Sequence, residues 1–240
     1  MTDGLSYISK NVTEVRKEIA AAEQTADRIG KTRMLAAVKY GTDVQIRALL
    51  ETGVTAVGEN RVQQLLEHWE LLSAFGAEVH FIGALQTNKV KYIVDKVCMI
   101  HSVDSPRLAL EIQRRAAAKS IVMDVLVEIN GAAEDSKSGV LREDAEPLCR
   151  LILEQPNLRL CGFMTMGPRF ESEAEYQAYF AGVRTVGDSI WQRLGVTGTP
   201  LYSMGMSESF GAAILAGADL VRVGRRLFRN APEQEGSLTI

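Results

Sequence analysis

The sequence contains no run approaching the roughly 18 apolar residues that a membrane-spanning helix needs. Its opening, MTDGLSYISKNVTEVRKEIA, carries acidic residues and lacks an apolar h-region, so no signal peptide is expected. There is no Cys-x-x-Cys. The three cysteines, Cys98, Cys149 and Cys161, stand far apart in apolar surroundings, which predicts reduced thiols in the core. His68, His80 and His101 are too scattered for a zinc triad, and no metal is expected; His80, just before Phe81 in an apolar run, reads as a packed core residue. A formal net charge of -3 gives no basic patch for nucleic acid or a membrane surface. Linkers and low-complexity stretches are absent, and no Gly-x-Gly-x-x-Gly follows the first apolar run, which argues against an open dinucleotide-binding sheet. These absences leave a globular protein, expected in the cytoplasm.

What is present is one repeated rhythm. The 240 residues, 46% hydrophobic and 24% charged, suffice for a substantial core. After an amphipathic helix over about residues 5–29 come eight short apolar runs: MLAAVKY, TAVGEN, VHFIGAL, CMIHSVD, IVMDVLVEIN, LRLCGFMTM, PLYSMGM and DLVRVG. Helical patterns separate them, among them DVQIRALLETG, RVQQLLEHWELLSAF, SPRLALEIQRRAAAKS and ESEAEYQAYFAGVRTVGDSIWQRLG. Near-continuous apolar strands alternating with helices indicate a parallel sheet covered on both faces, and eight units are the number that closes one. The predicted fold is a single (β/α)8 TIM-type barrel spanning 1–240, with an extra N-terminal helix in 1–30 and a loose tail over 229–240.

In such a barrel the chemistry sits where strands end. Lys39 ends the first run and Asn60 the second, while Arg222 and Gly224 close the eighth. Alternation puts Lys39 on the face of Leu35 and Ala37, and Arg222 on that of Leu220 and Gly224, so both cations face inward. Lys39 is then either a solvated strand-end lysine or an amine whose burial suits it to attack carbonyl carbon. Arg222 is either in an internal ion pair with Glu59 or Asp104 or in contact with a ligand. The stretch SMGMSESFGAAIL adds Gly205 and, with Gly224, the freedom for close backbone approach; Ser207 is placed to cap the next helix or offer its hydroxyl. The loops after strands seven and eight are the usual phosphate site of these barrels. An anion site near an inward lysine suits a phosphate-bearing aldehyde such as pyridoxal 5'-phosphate. Met164, Met166, Met204 and Met206 are expected to pack near the barrel mouth. The GAAEDSKSG loop is a candidate flap, and its Lys137 reads as solvated.

The segments HFIGALQTNK, HSVDS, VEINGAAEDSKSG, SMGMSESFGAAILAGADLVRVG, AVK, GEN and LCGFM, in their chain order, make the sequence resemble the pyridoxal phosphate homeostasis protein family, relatives of the alanine racemase barrel domain. The resemblance implies that Lys39 is the Schiff-base lysine, that Arg222 faces the pyridine nitrogen, that Ser203, Gly205, Met206, Ser207 and Gly224 surround the phosphate, and that Asn60 lines the cofactor pocket. The chain departs from the family where Tyr40-Gly41-Thr42-Asp43 follows the lysine, where Glu208 replaces the usual aspartate, and at Arg229-Asn230.

Two readings of function compete. One is a non-catalytic pyridoxal phosphate-binding protein of intracellular vitamin B6 homeostasis; the other is a racemase-type enzyme. The racemase reading needs a second base, which the resemblance assigns to a further domain that this sequence, ending at the barrel, is expected to lack. An arginine at the pyridine nitrogen also discourages ring protonation. The binding-protein reading is therefore preferred. Expected partners are pyridoxal phosphate and, transiently, apo-enzymes that use it; a monomer is expected, with a dimer the alternative.

Overall fold

The structure is a computed structural model that describes residues 5–131 and 138–230. Eight parallel strands pair in sequence order and close on themselves: β1 (Arg33–Ala37), β2 (Ala56–Glu59), β3 (Glu78–Phe81), β4 (Met99–Val103), β5 (Met123–Glu128), β6 (Leu158–Met164), β7 (Leu201–Met206) and β8 (Leu220–Val223). Around them run α1 (Ser6–Thr25), α2 (Asp43–Glu51), α3 (Val62–Ala74), α4 (Pro106–Ala118), α5 (Arg142–Leu153), α6 (Glu173–Arg193), α7 (Phe210–Leu215) and α8 (Arg225–Phe228). The crossover between β3 and β4 uses only a 3-10 segment, Thr87–Tyr92. The barrel and its added N-terminal helix agree with the sequence expectation.

Apolar side chains form two layers. The larger lies between sheet and helices and holds Ala36, Val57, Val125, Phe163 and Val221. Inside the barrel are two small clusters, Leu35 with Ala37, Ala56 and Ile82, and Met99 with Leu126 and Met164. Register places polar groups on that same inner face, because residues paired across parallel strands point to one side. Arg222 pairs with the inner Leu35, His80 with Met99, and both Glu128 and Ser203 with Met164. All four are buried, and so is His101, two residues beyond Met99.

Local signals account for the boundaries. Ile8, Val12, Val15 and Ile19 make one buried stripe on α1, which packs on α7 and α8. The helix stops at Thr25, short of the predicted residue 29, because Asp27 and Gly30 take positive φ of 52° and 70° and Ile29 is 75% exposed. The buried Glu23 carboxylate then accepts the N–H groups of Gly30 at 3.1 Å and Thr32 at 2.5 Å, tying the end of α1 to the start of β1. Thr42 and Gln45 form a capping box that opens α2.

Three expectations need correction. Strand β1 ends at Ala37, and Lys39 sits in a 3-10 turn, Val38–Tyr40, where strand alternation no longer governs its direction; the residue is exposed. Of the cysteines only Cys149 is a core thiol, pushed up to about 12 by burial, whereas Cys98 is exposed and Cys161 half-buried. Of the four methionines expected to pack near the barrel mouth, Met204 lies instead in the layer between sheet and helices, and Met206, though at the mouth, is 39% exposed. Lys137 and most of the candidate flap lie outside the described residues, as does the tail after Asn230.

Replacing Glu23 by Ala removes the acceptor of two backbone N–H groups in partly buried surroundings and should cost about 2–4 kcal/mol. Urea unfolding followed by circular dichroism measures it. A single transition in wild type, shifted as a whole in the variant, is expected if α1 and the barrel unfold as one unit.

Candidate functional site

A cleft opens at the C-terminal ends of the strands, the end at which the loops after β1, β2, β6, β7 and β8 meet. Six of the eight sequence candidates line it: Lys39, Asn60, Met206, Ser207, Arg222 and Gly224. Ser203 and Gly205 lie behind it. Tyr40, Met166, Arg169, Tyr176 and Arg225 also line the cleft and were not among the candidates. The hydrophobic patterning of strands and helices carries no signal for loop residues such as Arg169, whereas Arg225, directly after VRVG, was within reach of the strand-end argument.

Lys39 arrives from the turn after β1. Its ammonium lies 4.9 Å from the centre of the Tyr40 ring. The next residue, Gly41, is held against α8, since a Cβ there would come 2.6 Å from the Phe228 ring. The start of the barrel is thus fastened to its end. Asn60 follows β2, and its backbone is so close to Gly83 that a Cβ on Gly83 would meet the Asn60 carbonyl oxygen at 2.0 Å. Its side-chain Oδ1 is buried without a partner among the described residues.

Arg222 is the buried cation of the site, 5% exposed. It donates through Nη1 to the Ser203 carbonyl at 2.6 Å and the Ser203 hydroxyl at 2.8 Å, and through Nη2 to the Thr165 carbonyl at 2.9 Å. Neither carboxylate expected from the sequence is its partner. Glu59 leaves the barrel interior and bonds His68 of α3, Oε1 to Nδ1, at 2.6 Å. Asp104 bears instead on Glu128, whose carboxyl is raised chiefly by burial while the Ser138 hydroxyl and Arg222 oppose the shift. Burial draws the Arg222 guanidinium down to about 10, with Glu128 pulling the other way, so it remains a cation at neutral pH.

The stretch after β7 differs in detail from its reading in the sequence. Helix α7 begins at Phe210 with Ser209 at its N-cap, and the Ser209 hydroxyl accepts the Met206 N–H at 3.1 Å. Ser207 therefore does not cap the helix; its hydroxyl accepts the Gly224 N–H at 3.4 Å and bridges the β7 and β8 loops. Gly205 has φ +88°, and a Cβ there would lie 2.5 Å from the Ala213 side chain, so this glycine is required by backbone conformation and by packing on α7. Gly224 is hemmed in by Ala37 and Tyr40, 3.0–3.2 Å from a would-be Cβ. Its carbonyl-side neighbours begin α8, whose first N–H groups have no partner inside the helix.

Charge in the cleft is lopsided. Lys39, Arg169, Arg222 and Arg225 line it against one acid, Glu208, and that acid pairs with Arg225 at 2.8 Å on the exposed rim. A low-dielectric cleft with this excess attracts anions. The lining offers a primary amine, a buried guanidinium and backbone N–H donors.

Residues 11–232 match the family described as alanine racemase, N-terminal domain. The pyridoxal phosphate homeostasis protein of Aquifex aeolicus (strain VF5) is 41% identical over 210 residues, 86% of this chain and 92% of that protein. The chain belongs to the pyridoxal phosphate homeostasis protein family. Among solved structures, an unknown protein from Bifidobacterium adolescentis superposes with TM-score 0.87 at 34% identity, covering 95% of this chain and 97% of that one. PipY of Synechococcus elongatus PCC7942, solved with PLP bound, gives TM-score 0.82 at 26% identity, covering 92% of this chain and all (100%) of PipY. Among the described residues no helix is long and apolar enough to cross a membrane, and no group of three or more His, Cys, Asp or Glu is placed to hold a metal.

His68 is raised above its ordinary value, first by its hydrogen bond to Glu59 and against burial. A raised histidine stabilises the fold fully below its unfolded value, near ~6.5, and loses that contribution as pH climbs through the folded value. Wild type should therefore exceed His68→Gln in stability most at pH about 5.5 and least at pH about 8.5. Urea unfolding of both proteins across that range checks it; a gap that widens with pH would contradict the assignment.

Proposed function

We propose that this protein binds pyridoxal 5'-phosphate in the cleft and serves to hold and release it, as an intracellular reservoir, without turning over a substrate. The observation that carries the reading is the convergence, in one anion-attracting cleft, of the Lys39 amine, the buried Arg222 guanidinium and the Ser207 hydroxyl, which the Gly224 N–H holds in place. Pyridoxal phosphate supplies an aldehyde with which a primary amine condenses, releasing water. Each part of it has a counterpart among these residues. Lys39 is the amine for the aldehyde, Arg222 the donor for the pyridine nitrogen, and the Ser207 hydroxyl, with the close backbone approach that Gly224 allows, the cradle for the phosphate. Asn60, with its unpartnered Oδ1, lines the pocket beside the ring. Ser203 and Gly205 support the site from behind, the first by accepting from Arg222 and the second by letting β7 turn into α7.

The name carried by the Aquifex relative and the ligand in PipY support the choice of cofactor. Against racemisation stands the charge state of Arg222. A guanidinium that stays protonated donates to the ring nitrogen and leaves it without a proton, and an unprotonated ring withdraws electrons weakly from an α-carbon. The same reading has the protein act in the cytosol as a monomer, a dimer being the alternative, with apo-enzymes as transient recipients; light scattering of the purified chain tests the assembly state, and transfer to an apo-enzyme tests the delivery.

Equilibrium binding of pyridoxal phosphate and of pyridoxal should differ by several kcal/mol if the cradle holds a dianion through multiple charge-assisted bonds. Lys39→Ala should abolish borohydride-trapped label in peptide maps while leaving the unfolding midpoint nearly unchanged, because the side chain is exposed. Equal affinities for the two compounds, or label retained in the variant, would refute the assignment.

Amino-acid α-proton exchange, followed by NMR in heavy water, should stay far below about 1 per second, the low end of ordinary enzymatic turnover. Arg222→Glu should raise it where the variant folds, by placing an acid at the ring nitrogen. Wild-type exchange at an enzymatic rate would restore the racemase reading.

A further inference from the structure

The inner face of the barrel carries a continuous hydrogen-bonded chain. His80 Nδ1 lies 2.9 Å from His101 Nε2, His101 Nδ1 lies 3.0 Å from the Ser203 hydroxyl, and that hydroxyl is the 2.8 Å acceptor of Arg222 Nη1. Every member is buried, His101 and Ser203 completely at 0% exposure. No part of the chain but Arg222 reaches the cleft.

Proton counting fixes its direction. Arg222 has only donors, so Ser203 Oγ must accept from it. The Ser203 hydroxyl proton then needs an acceptor, and the remaining neighbour is His101 Nδ1. If Nδ1 accepts, His101 carries its proton on Nε2 and donates to His80 Nδ1, and His80 in turn carries its proton on Nε2. The reverse polarity makes Ser203 Oγ accept twice and leaves its own proton without a partner, one unsatisfied buried group more. In both directions His80 Nε2 has no partner among the described residues, so it does not discriminate.

We propose that His101, backed by His80, is a positioning residue for Arg222: both imidazoles are held as neutral Nε2–H tautomers, and they turn the Ser203 lone pairs toward the guanidinium so that its remaining N–H groups are aimed at the ligand's ring nitrogen. The role in ligand binding rests on the site reading given above; the tautomers and polarity do not. Protonation of His101 would reverse its bond to Ser203, and its surroundings oppose that. Burial, His80 and Arg222 hold it well below the ordinary histidine value. His80 is pushed down to about 4 by burial and Arg33, with Glu78 and Asp124 opposing from the lower rim.

With three histidines in the chain, nitrogen NMR of the ligand-free protein resolves each one. His80 and His101 should remain neutral Nε2–H tautomers from pH about 6 to 8. An Nδ1–H tautomer at either, or protonation of His101 in that range, overturns the proposal whatever the cleft binds. In the ligand-free protein, hydrogen exchange of the Arg222 side chain should quicken about 10-fold in His101→Leu and in Ser203→Ala, the loss expected for one hydrogen bond. His101→Asn, which keeps an acceptor near the Nδ1 position, should restore it. Pyridoxal phosphate affinity should fall in the same order, while affinity for inorganic phosphate stays level. Exchange and affinity unchanged in His101→Leu would overturn the positioning role. Wild-type protein that fails to bind pyridoxal phosphate would overturn the site reading and leave the NMR result to decide the chain by itself.

Discussion

A permanent cation inside a closed barrel has to be solvated by the barrel itself. Arg222 sits on the inner face with no carboxylate of the described residues within hydrogen-bonding distance, and the protein answers with two backbone carbonyls and a hydroxyl. That requirement explains choices elsewhere. The Thr165 carbonyl lies just past the end of β6, the Ser203 carbonyl within β7 also accepts the Thr165 N–H at 3.2 Å, and the β7–β8 register shifts between Ser203 and Met206. A hydroxyl rather than a larger or apolar side chain is needed at 203, and a hydroxyl inside a barrel needs its own acceptor, which His101 supplies. The buried charge thus propagates into a polar stripe through a volume that barrels otherwise fill with branched aliphatic side chains.

Much of this was legible in the sequence. Eight apolar runs and the helices between them predict the barrel, and strand-end position together with the family resemblance points to six residues that line one cleft. The failures are local and physical. Alternation was extended to Lys39, two residues past the point where β1 gives way to a 3-10 turn; period-two reasoning has no purchase once the backbone leaves the strand. Ser207 looked like a helix cap because serine before a helix usually is one, yet Ser209 holds the N-cap position, with its hydroxyl turned back to the Met206 N–H, and only the three-dimensional meeting of two loops gives Ser207 to Gly224. Glu59 was a plausible partner for Arg222 by charge alone, but its carboxylate serves the outer helix layer through His68.

His80 and His101 show a subtler limit. Each stands in an apolar run, and the sequence reading of His80 as core is true of its burial, as it is of His101. What a linear reading cannot supply is that the two lie on adjacent strands at a register bringing Nδ1 to Nε2 at 2.9 Å. Glu128 belongs with them: inward by register, raised by burial, and in electrostatic reach of Arg222 without a hydrogen bond to it.

The seam between β1 and β8 has a consequence in time. Lys39 comes from the first turn of the barrel and Arg222 with Gly224 from the last strand, and the Gly41–Phe228 contact brings them together only when the sheet has closed. During synthesis most of the barrel leaves the ribosome before the second half of the cleft exists, so no N-terminal fragment contains a complete site. Closure is a contact of very long sequence separation, among the slowest kinds to form. A ligand that spanned the cleft would link the two ends of the chain, a removable clasp across the barrel's seam, and by mass action its free concentration would add to the stability of the closed barrel.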